Sequence, residues 1–219
     1  MTLAAALLGE LDLRDLVVTG DAQFCQRDLS VQVVAAGGDY FWAVKDNQPE
    51  LRAAIAILFA DPPPGEAFAR VVSRSQHGNR HEVRTLWASE VLNDYLDWPH
   101  LAQVCAVERV ITRAGTTSRE TGYAVTSLPA VRAVPTRLQR LWRGHWAIEN
   151  KLHWVRDVTF DEDRCQVRTG AGPQVLAALR NTVIGTLRRA GHANIAAALR
   201  SYAARPYAAL ALLGLTIPE

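Results

Sequence analysis

The sequence predicts an α/β protein with a mixed sheet and a helical C-terminal part. An apolar, β-branched run at 16–19 and a second strand-like run at 40–45 are each followed by a helical pattern. This strand–helix–strand–helix order is typical of parallel strands with right-handed crossovers. A second group of strand-like runs lies within 68–128, and helical periodicity dominates after Pro135.

The first part of the chain carries one carboxylate, Asp21, directly after a predicted strand. Its predicted elements are a helix at 2–10, strands at 16–19 and 40–45, a helix at 26–36 and a helix from 49 to about 60. The first strand ends in Gly20 and Asp21, and ligands of open α/β sheets gather at the carboxyl ends of strands. An Asp here also suits the N-cap of the next helix, and the local sequence leaves both interpretations open.

The run of three prolines and a glycine at 62–65 ends this pattern. Antiparallel strands are predicted at 69–74, 81–89, 103–113 and 120–127, and helices at about 136–157, 173–190 and 193–212. We therefore divide the chain into an α/β part at 1–67, a β-rich segment at 68–128 and a helical part at 129–219.

Composition narrows the class of protein. The 219 residues carry a formal net charge of only +2, which is typical of a globular chain and not of a disordered one. Cys25, Cys105 and Cys165 are odd in number and far apart, which argues against a disulfide scaffold and fits a reducing cytoplasm. The N-terminus lacks the basic start of a signal peptide, and the apolar runs are too short to span a bilayer.

One helix of the C-terminal part combines an apolar stripe with a chemically unusual stripe. At about 100° per residue, an α-helix places 142, 145, 149 and 156 within an arc of about 60°, with 146 and 153 beside it. The stripe thus carries Trp142, His145, Trp146, Glu149, His153 and Arg156. A helix face that needed only solubility would carry Lys, Glu and Gln, so this one predicts a site. The competing interpretation is a solvated Glu with core tryptophans, and Trp154, on the far side, is interpreted as core.

Asp21 and Glu149, if they converge, form a carboxylate pair suited to a hard cation such as Mg²⁺. Two such ions can activate a water or a hydroxyl and stabilise the leaving oxygen in phosphoryl transfer. The arginines around 132–168 fit phosphate contacts, and the neighbouring tryptophans could stack on bases. A solvated basic helix remains the alternative.

Residues 145–163, together with residues 18–26 and several shorter motifs, resemble ISAs-type insertion-sequence transposases. Residues 145–163 read HWAIENKLHWVRDVTFDED, and residues 18–26 read VTGDAQFCQ. The motifs GGDY at 37–40, VKDNQP at 44–49, HG at 77–78, DWP at 97–99 and SL at 127–128 match in the same order. The resemblance therefore covers nearly the whole chain.

The resemblance implies a DDE transposase with a ribonuclease-H-like core, here N-terminally truncated, that cuts and joins DNA with Mg²⁺ or Mn²⁺. Asp21 would be the second acid of the triad, Glu149 the third, and 68–128 the insertion between them. The family helix signature of Tyr, Arg, Glu and Lys keeps its spacing, but Trp142, His145 and Arg156 replace three of its letters. Contacts to DNA would come from Trp142, His145, Trp146, Asn150, His153 and Arg156. The complete enzyme would bind element ends and target DNA as a homo-oligomer.

The first acid of the family pattern has no match in this sequence. The acids before Asp21 are Glu10, Asp12 and Asp15, and none stands on a convincing strand. We therefore expect the first acid and its strands to be missing and the chain alone to be a poor enzyme. Two other interpretations stay open: a non-catalytic DNA-binding or dimerising remnant, and an unrelated metal hydrolase on the same core.

Overall fold

A computed structural model describes the backbone of residues 2–215 and the side chains of 4–145 and 151–215. Its strands are β1 (Val17–Gly20), β2 (Asp39–Val44), β3 (Ala69–His77), β4 (Arg80–Ser89), β5 (Gln103–Arg113) and β6 (Thr116–Thr126). Its α-helices are α1 (Thr2–Gly9), α2 (Arg27–Ala35), α3 (Pro49–Ala60), α4 (Pro135–Ile148), α5 (Gly172–Arg189), α6 (Ile195–Ala203) and α7 (Pro206–Leu212). The fold is therefore mixed α/β, as the sequence predicts.

The six strands form one mixed sheet in the order β1-β2-β6-β5-β4-β3. β1 and β2 are parallel, which confirms the prediction from the strand–helix–strand order. β2 pairs antiparallel with β6, and the other neighbours are antiparallel too. The β-rich segment thus continues the sheet that begins with β1 and β2.

Helices cover both faces of the central strands. All six residues of β2 are buried, and its side chains alternate between two apolar clusters, as the period of two requires. Tyr40, Trp42 and Val44 pack with α2 and α3, whereas Phe41 packs with Leu138 of α4. β2 therefore reads as a continuous apolar run, since neither of its faces meets water.

The chain divides into two compact units, Met1–His145 and Trp146–Glu219. The second unit has its own small core, formed by Val155, Ile184, Leu187, Ile195 and Ala198. None of the helices described here is long and apolar enough to cross a membrane.

The long predicted helix at 136–157 is not one continuous α-helix. α4 ends at Ile148, and two π-helical segments follow, Glu149–His153 and Val155–Thr159. A π-helix bonds residue i to i+5, so the α-helical arc that grouped Trp142 with Arg156 does not extend past Ile148. The interpretation of Trp154 as core is also wrong, because 55% of its surface is exposed.

The last predicted helix, 193–212, is two helices. α6 ends at Ala203 and α7 begins at Pro206. Proline has no N–H and clashes with the preceding turn, so it favours the start of a helix over its interior.

Candidate active site

Asp21 lies directly after the carboxyl end of β1, where it caps the short 3-10 helix Ala22–Phe24. One carboxylate oxygen, Oδ1, accepts a hydrogen bond from the backbone N–H of Gln23 at 3.0 Å. The side chain remains partly exposed. The strand-end and helix-cap interpretations therefore describe the same side chain, and the second carboxylate oxygen leaves Asp21 able to bind a cation.

Two amide side chains hold the loop that carries Asp21. Asn47 Nδ2 donates to the carbonyl of Ala22 at 2.6 Å, and Gln48 Nε2 donates to the carbonyl of Cys25 at 3.0 Å. These residues follow β2, so the end of β2 fixes the loop after β1. This supporting role of Asn47 and Gln48 is not apparent from the sequence, although the motif at 44–49 contains both.

The residue before Asp21 must be glycine for a steric reason. A Cβ on Gly20 would lie 2.6 Å from Cβ of Phe24 and 2.7 Å from the Trp42 ring. The rings of Phe24 and Trp42 are stacked, with their centroids 6.5 Å apart. The loop can therefore fold back over the end of β1 only because position 20 has no side chain.

Other motifs that support the resemblance have structural roles. Asp39, which is buried, accepts a hydrogen bond from Ser127 Oγ at 3.0 Å and pairs with Arg132 at 2.7 Å. Ser127 Oγ also accepts the backbone N–H of Tyr40 at 3.0 Å. The DWP motif is tied to α2 through an ion pair between Arg27 and Asp97 at 3.0 Å. These contacts join the chain segments around β2 and supply no reactive group.

Trp142 is the candidate DNA contact that the structure places most clearly. Its ring packs edge-on against Phe41, with centroids 6.3 Å apart, and covers Gly122 of β6. It is only partly exposed, so most of its surface is used in packing. His145, one helical turn further on, is also partly buried.

The side chains of Trp146, Glu149 and Asn150 lie outside the described part of the structure. The convergence of Asp21 and Glu149 therefore stays a prediction. His153 is exposed on the first π-helical segment.

Arg156 is engaged in an ion-pair cluster within the second unit. Its Nε and Nη2 contact the Glu162 carboxylate at 2.5 and 2.8 Å, and Arg180 reaches the same carboxylate at 3.0 Å. The hydrogen bond from Arg156 lowers the pKa of Glu162 despite partial burial. As a phosphate ligand, Arg156 would have to share its guanidinium with Glu162.

The acids before Asp21, the histidines His77 and His81, and the thiol of Cys25 are other side chains that could take part in metal binding or catalysis. Upstream of Asp21, Glu10, Asp12 and Asp15 lie between α1 and β1, so none of them stands on a strand. His77 pairs with Arg80 and His81 with Gln76 across the β3–β4 hairpin, so adjacent registers place the two imidazoles on opposite faces. Burial raises the pKa of Cys25 to about 12, which keeps its thiol protonated and unsuited to nucleophilic attack.

Together, the mixed sheet and the carboxylate at the end of β1 define an α/β protein with a candidate metal-binding acid. A model of the family described as "Transposase DDE domain" matches residues 1–184. The chain belongs to this family.

Curated relatives carry related names. The chain is 29% identical over 196 residues to the "H repeat-associated putative transposase YhhI" of Escherichia coli K12, and equally to "Putative protein YbfL" of that strain. It is 28% identical over 199 residues to the "Putative transposase YncI" of Escherichia coli O157:H7. These alignments cover 85–86% of this chain but 50–51% of each relative, so the chain spans about half the length of the curated relatives it matches.

Proposed function

We propose that this chain is part of a DDE transposase that cuts DNA at element ends and transfers the strand. The observation that carries the proposal is Asp21, a partly exposed carboxylate after a parallel strand, inside the stretch that the family model matches. We assign Asp21 and Glu149 as two of three acidic ligands in a ribonuclease-H-like core of the ISAs type. The division into 1–67, 68–128 and 129–219 belongs to the same proposal.

The donor set fits a hard divalent cation. Carboxylate oxygens are the ligands that Mg²⁺ and Mn²⁺ prefer, and Asp21 Oδ1 already has its position fixed by the Gln23 N–H. The bound ions would supply the activation of the attacking hydroxyl and neutralisation of the developing phosphate charge. Asn47 and Gln48 would keep the Asp21 carboxylate in place by holding its loop, as supporting residues do around metal ligands.

DNA contacts are assigned to the α4 region and the segment after it. Trp142, His145 and Trp146 would meet a displaced base or the phosphate near the cut. Asn150, His153 and Arg156 are proposed as further contacts to the DNA backbone. We propose further that the complete protein acts in the cytoplasm as a homo-oligomer.

Metal binding tests the site apart from turnover. We expect Mn²⁺ titration, followed by the electron paramagnetic resonance of the free ion, to give at least about tenfold weaker binding for Asp21→Asn and for Glu149→Gln. Asp61→Asn, which changes an exposed acid after α3, serves as the matched control and should bind as the parent does. Unchanged binding in both site variants would remove the metal assignment.

A second candidate is a DNA-binding remnant without catalysis. The chain supplies two of the three proposed acids, since Glu10, Asp12 and Asp15, the described acids before Asp21, lie between α1 and β1. We expect the chain alone to bind element-end DNA in a salt-dependent way and to cut it poorly with Mg²⁺ or Mn²⁺. Robust cutting would refute the remnant, whereas hydrolysis of small phosphoesters without DNA would favour an unrelated metal hydrolase.

A further inference from the structure

A buried carboxylate on β4 gathers arginines on one face of the sheet. Glu82, with only 6% of its side chain exposed, contacts Arg80 Nη2 at 2.7 Å and Arg109 Nε at 3.2 Å. It also forms an ion pair with Arg84. Residues 80, 82 and 84 share a face because side chains alternate along a strand, and Arg109 stands directly opposite Arg84 on β5.

The charge on this face is not balanced. Arg113 stands opposite Arg80 on the same face. Burial lowers the pKa of Arg84, Glu82 raises it, and the positive charges of Arg143 of α4, Arg109 and Arg80 lower it further. Arg143 is therefore close to this cluster. In β3, β4, β5, β6 and α4, the acids on this face are Glu82 and Glu120, the latter 3.8 Å from Arg109. Five guanidinium groups against two carboxylates leave a surplus of three positive charges.

A structural role for Glu82 alone does not account for this surplus. One or two arginines would neutralise a buried carboxylate, and each further cation in the cluster repels the rest. Such a cluster is favourable when an anion from outside completes it. Glu82 also holds Arg80, Arg84 and Arg109 in fixed positions, which lowers the entropy that they would lose on binding an anion.

The spacing of the arginines favours a polyanion over a single phosphate. The opposite pairs Arg80–Arg113 and Arg84–Arg109 are four residues apart along their strands, which is roughly 13 Å at the rise of an extended strand. No single phosphate group can reach both pairs. A nucleic-acid backbone carries regularly repeated phosphates and can contact both pairs at once.

We propose that this arginine face, formed by Arg80, Arg84, Arg109, Arg113 and Arg143, binds the phosphate backbone of duplex DNA. The choice of DNA as the polyanion rests on the proposed function. The surface lies mainly on the β-rich segment and adds to the contacts assigned to α4. It holds duplex DNA by charge, without reading its sequence, because guanidinium–phosphate contacts carry no base information.

The test compares two double variants that remove the same charge from opposite faces of one sheet. Arg113→Gln with Arg143→Gln reduces the arginine face without touching a ligand of Glu82, and both residues are exposed. Arg70→Gln with Arg74→Gln is the matched control, because these exposed residues of β3 pair with Trp87 and Val83 and so lie on the other face.

Binding is measured by fluorescence anisotropy with the full chain and a duplex of about 30 base pairs, from about 50 to 200 mM salt, with EDTA present. Each lost phosphate contact lowers the slope of log K against log salt by about 0.9. We expect the arginine-face variant to lose about 1.8 and the control to lose less than about 0.5.

Each other outcome overturns the proposal. An equal loss in both variants means general attraction to net charge, and no loss in the arginine-face variant means that the cluster is purely structural. Tighter binding of a matched RNA duplex, with the same loss of slope, assigns the face to RNA. Because EDTA removes metal-dependent cutting, failure of the proposed transposase activity leaves this result unaffected.

Discussion

Glu82 stabilises the fold only while it is ionised. Burial raises its pKa, but the hydrogen bond from Arg109 and the charges of Arg84, Arg109 and Arg80 outweigh burial and hold the pKa below its ordinary value of 4.5. The folded state therefore takes up this proton less readily than the unfolded state. The contribution is complete above the ordinary pKa and is lost as pH falls through the lowered one.

Urea unfolding at pH values between 6 and 3 measures this dependence. We expect the parent protein to lose more unfolding free energy across that window than Glu82→Gln, which has no charge to titrate at this position. Glu66→Gln, at an exposed position before β3, is the control and should follow the parent. Parallel curves for the parent and Glu82→Gln would show that the cluster does not depend on the charge of Glu82.

Asp21 combines a local structural role with the proposed metal role, and two substitutions separate them. Asp21→Asn keeps an acceptor for the Gln23 N–H and should change the free energy of unfolding by only a few tenths of a kcal/mol. Asp21→Ala loses the cap and should cost about 1 kcal/mol. Thermal melting in EDTA checks both values. If Asn costs as much as Ala, the carboxylate charge itself supports the loop.

The packing of α4 on the sheet depends on the close contact between Gly122 of β6 and the Trp142 ring. A Cβ on Gly122 would lie 2.9 Å from two ring carbons of Trp142, so Gly122→Ala should force the indole away and cost about 1–3 kcal/mol. Trp142→Leu removes the clashing ring edge. We therefore expect Gly122→Ala to cost much less in the Trp142→Leu background, a coupling that denaturant unfolding of the four proteins measures. Additive effects would show that the contact between Gly122 and Trp142 does not determine how α4 packs on the sheet.

Elements with a strong apolar or alternating pattern could be predicted from the sequence. β5 occupies 103–113 as predicted, and β2 follows its buried run. β6 begins at Thr116 and not near 120, because pairing with β5 extends it through exposed polar residues that carry no apolar alternation. The break before Pro206 was visible in the sequence, whereas the π-helical segments after Ile148 have no marker in the spacing.

The part of the candidate site that could be predicted from the sequence is the acid that directly follows a strand. Asp21 lies where the pattern at 16–21 predicts it. The support from Asn47 and Gln48 was not predictable, because it depends on β2 lying beside β1. The arginine face escaped prediction for a similar reason: Arg84 and Arg109 are far apart in sequence and become neighbours only through the strand register.

On the scale of the whole molecule, one sheet joins a helix-covered region to an open hairpin region. β5 passes through both: Gln103–Val107 is buried, whereas Arg109–Arg113 is partly or fully exposed. Val104–Arg113 pairs with β4 and Gln103–Arg113 pairs with β6, so both halves are held by strands on both sides. The two halves differ in how well helices and apolar neighbours cover them.

Hydrogen exchange can distinguish the effect of strand pairing from the effect of burial within β5. Amides open through local or global unfolding, and regions with few buried contacts open at lower free energy. We therefore expect amides in the Gln103–Val107 half to exchange at least about tenfold more slowly than those in the Arg109–Arg113 half. Equal rates would mean that the sheet opens only as a unit. The arginine face would then be as rigid as the core, and DNA would meet cations whose positions are fixed before binding.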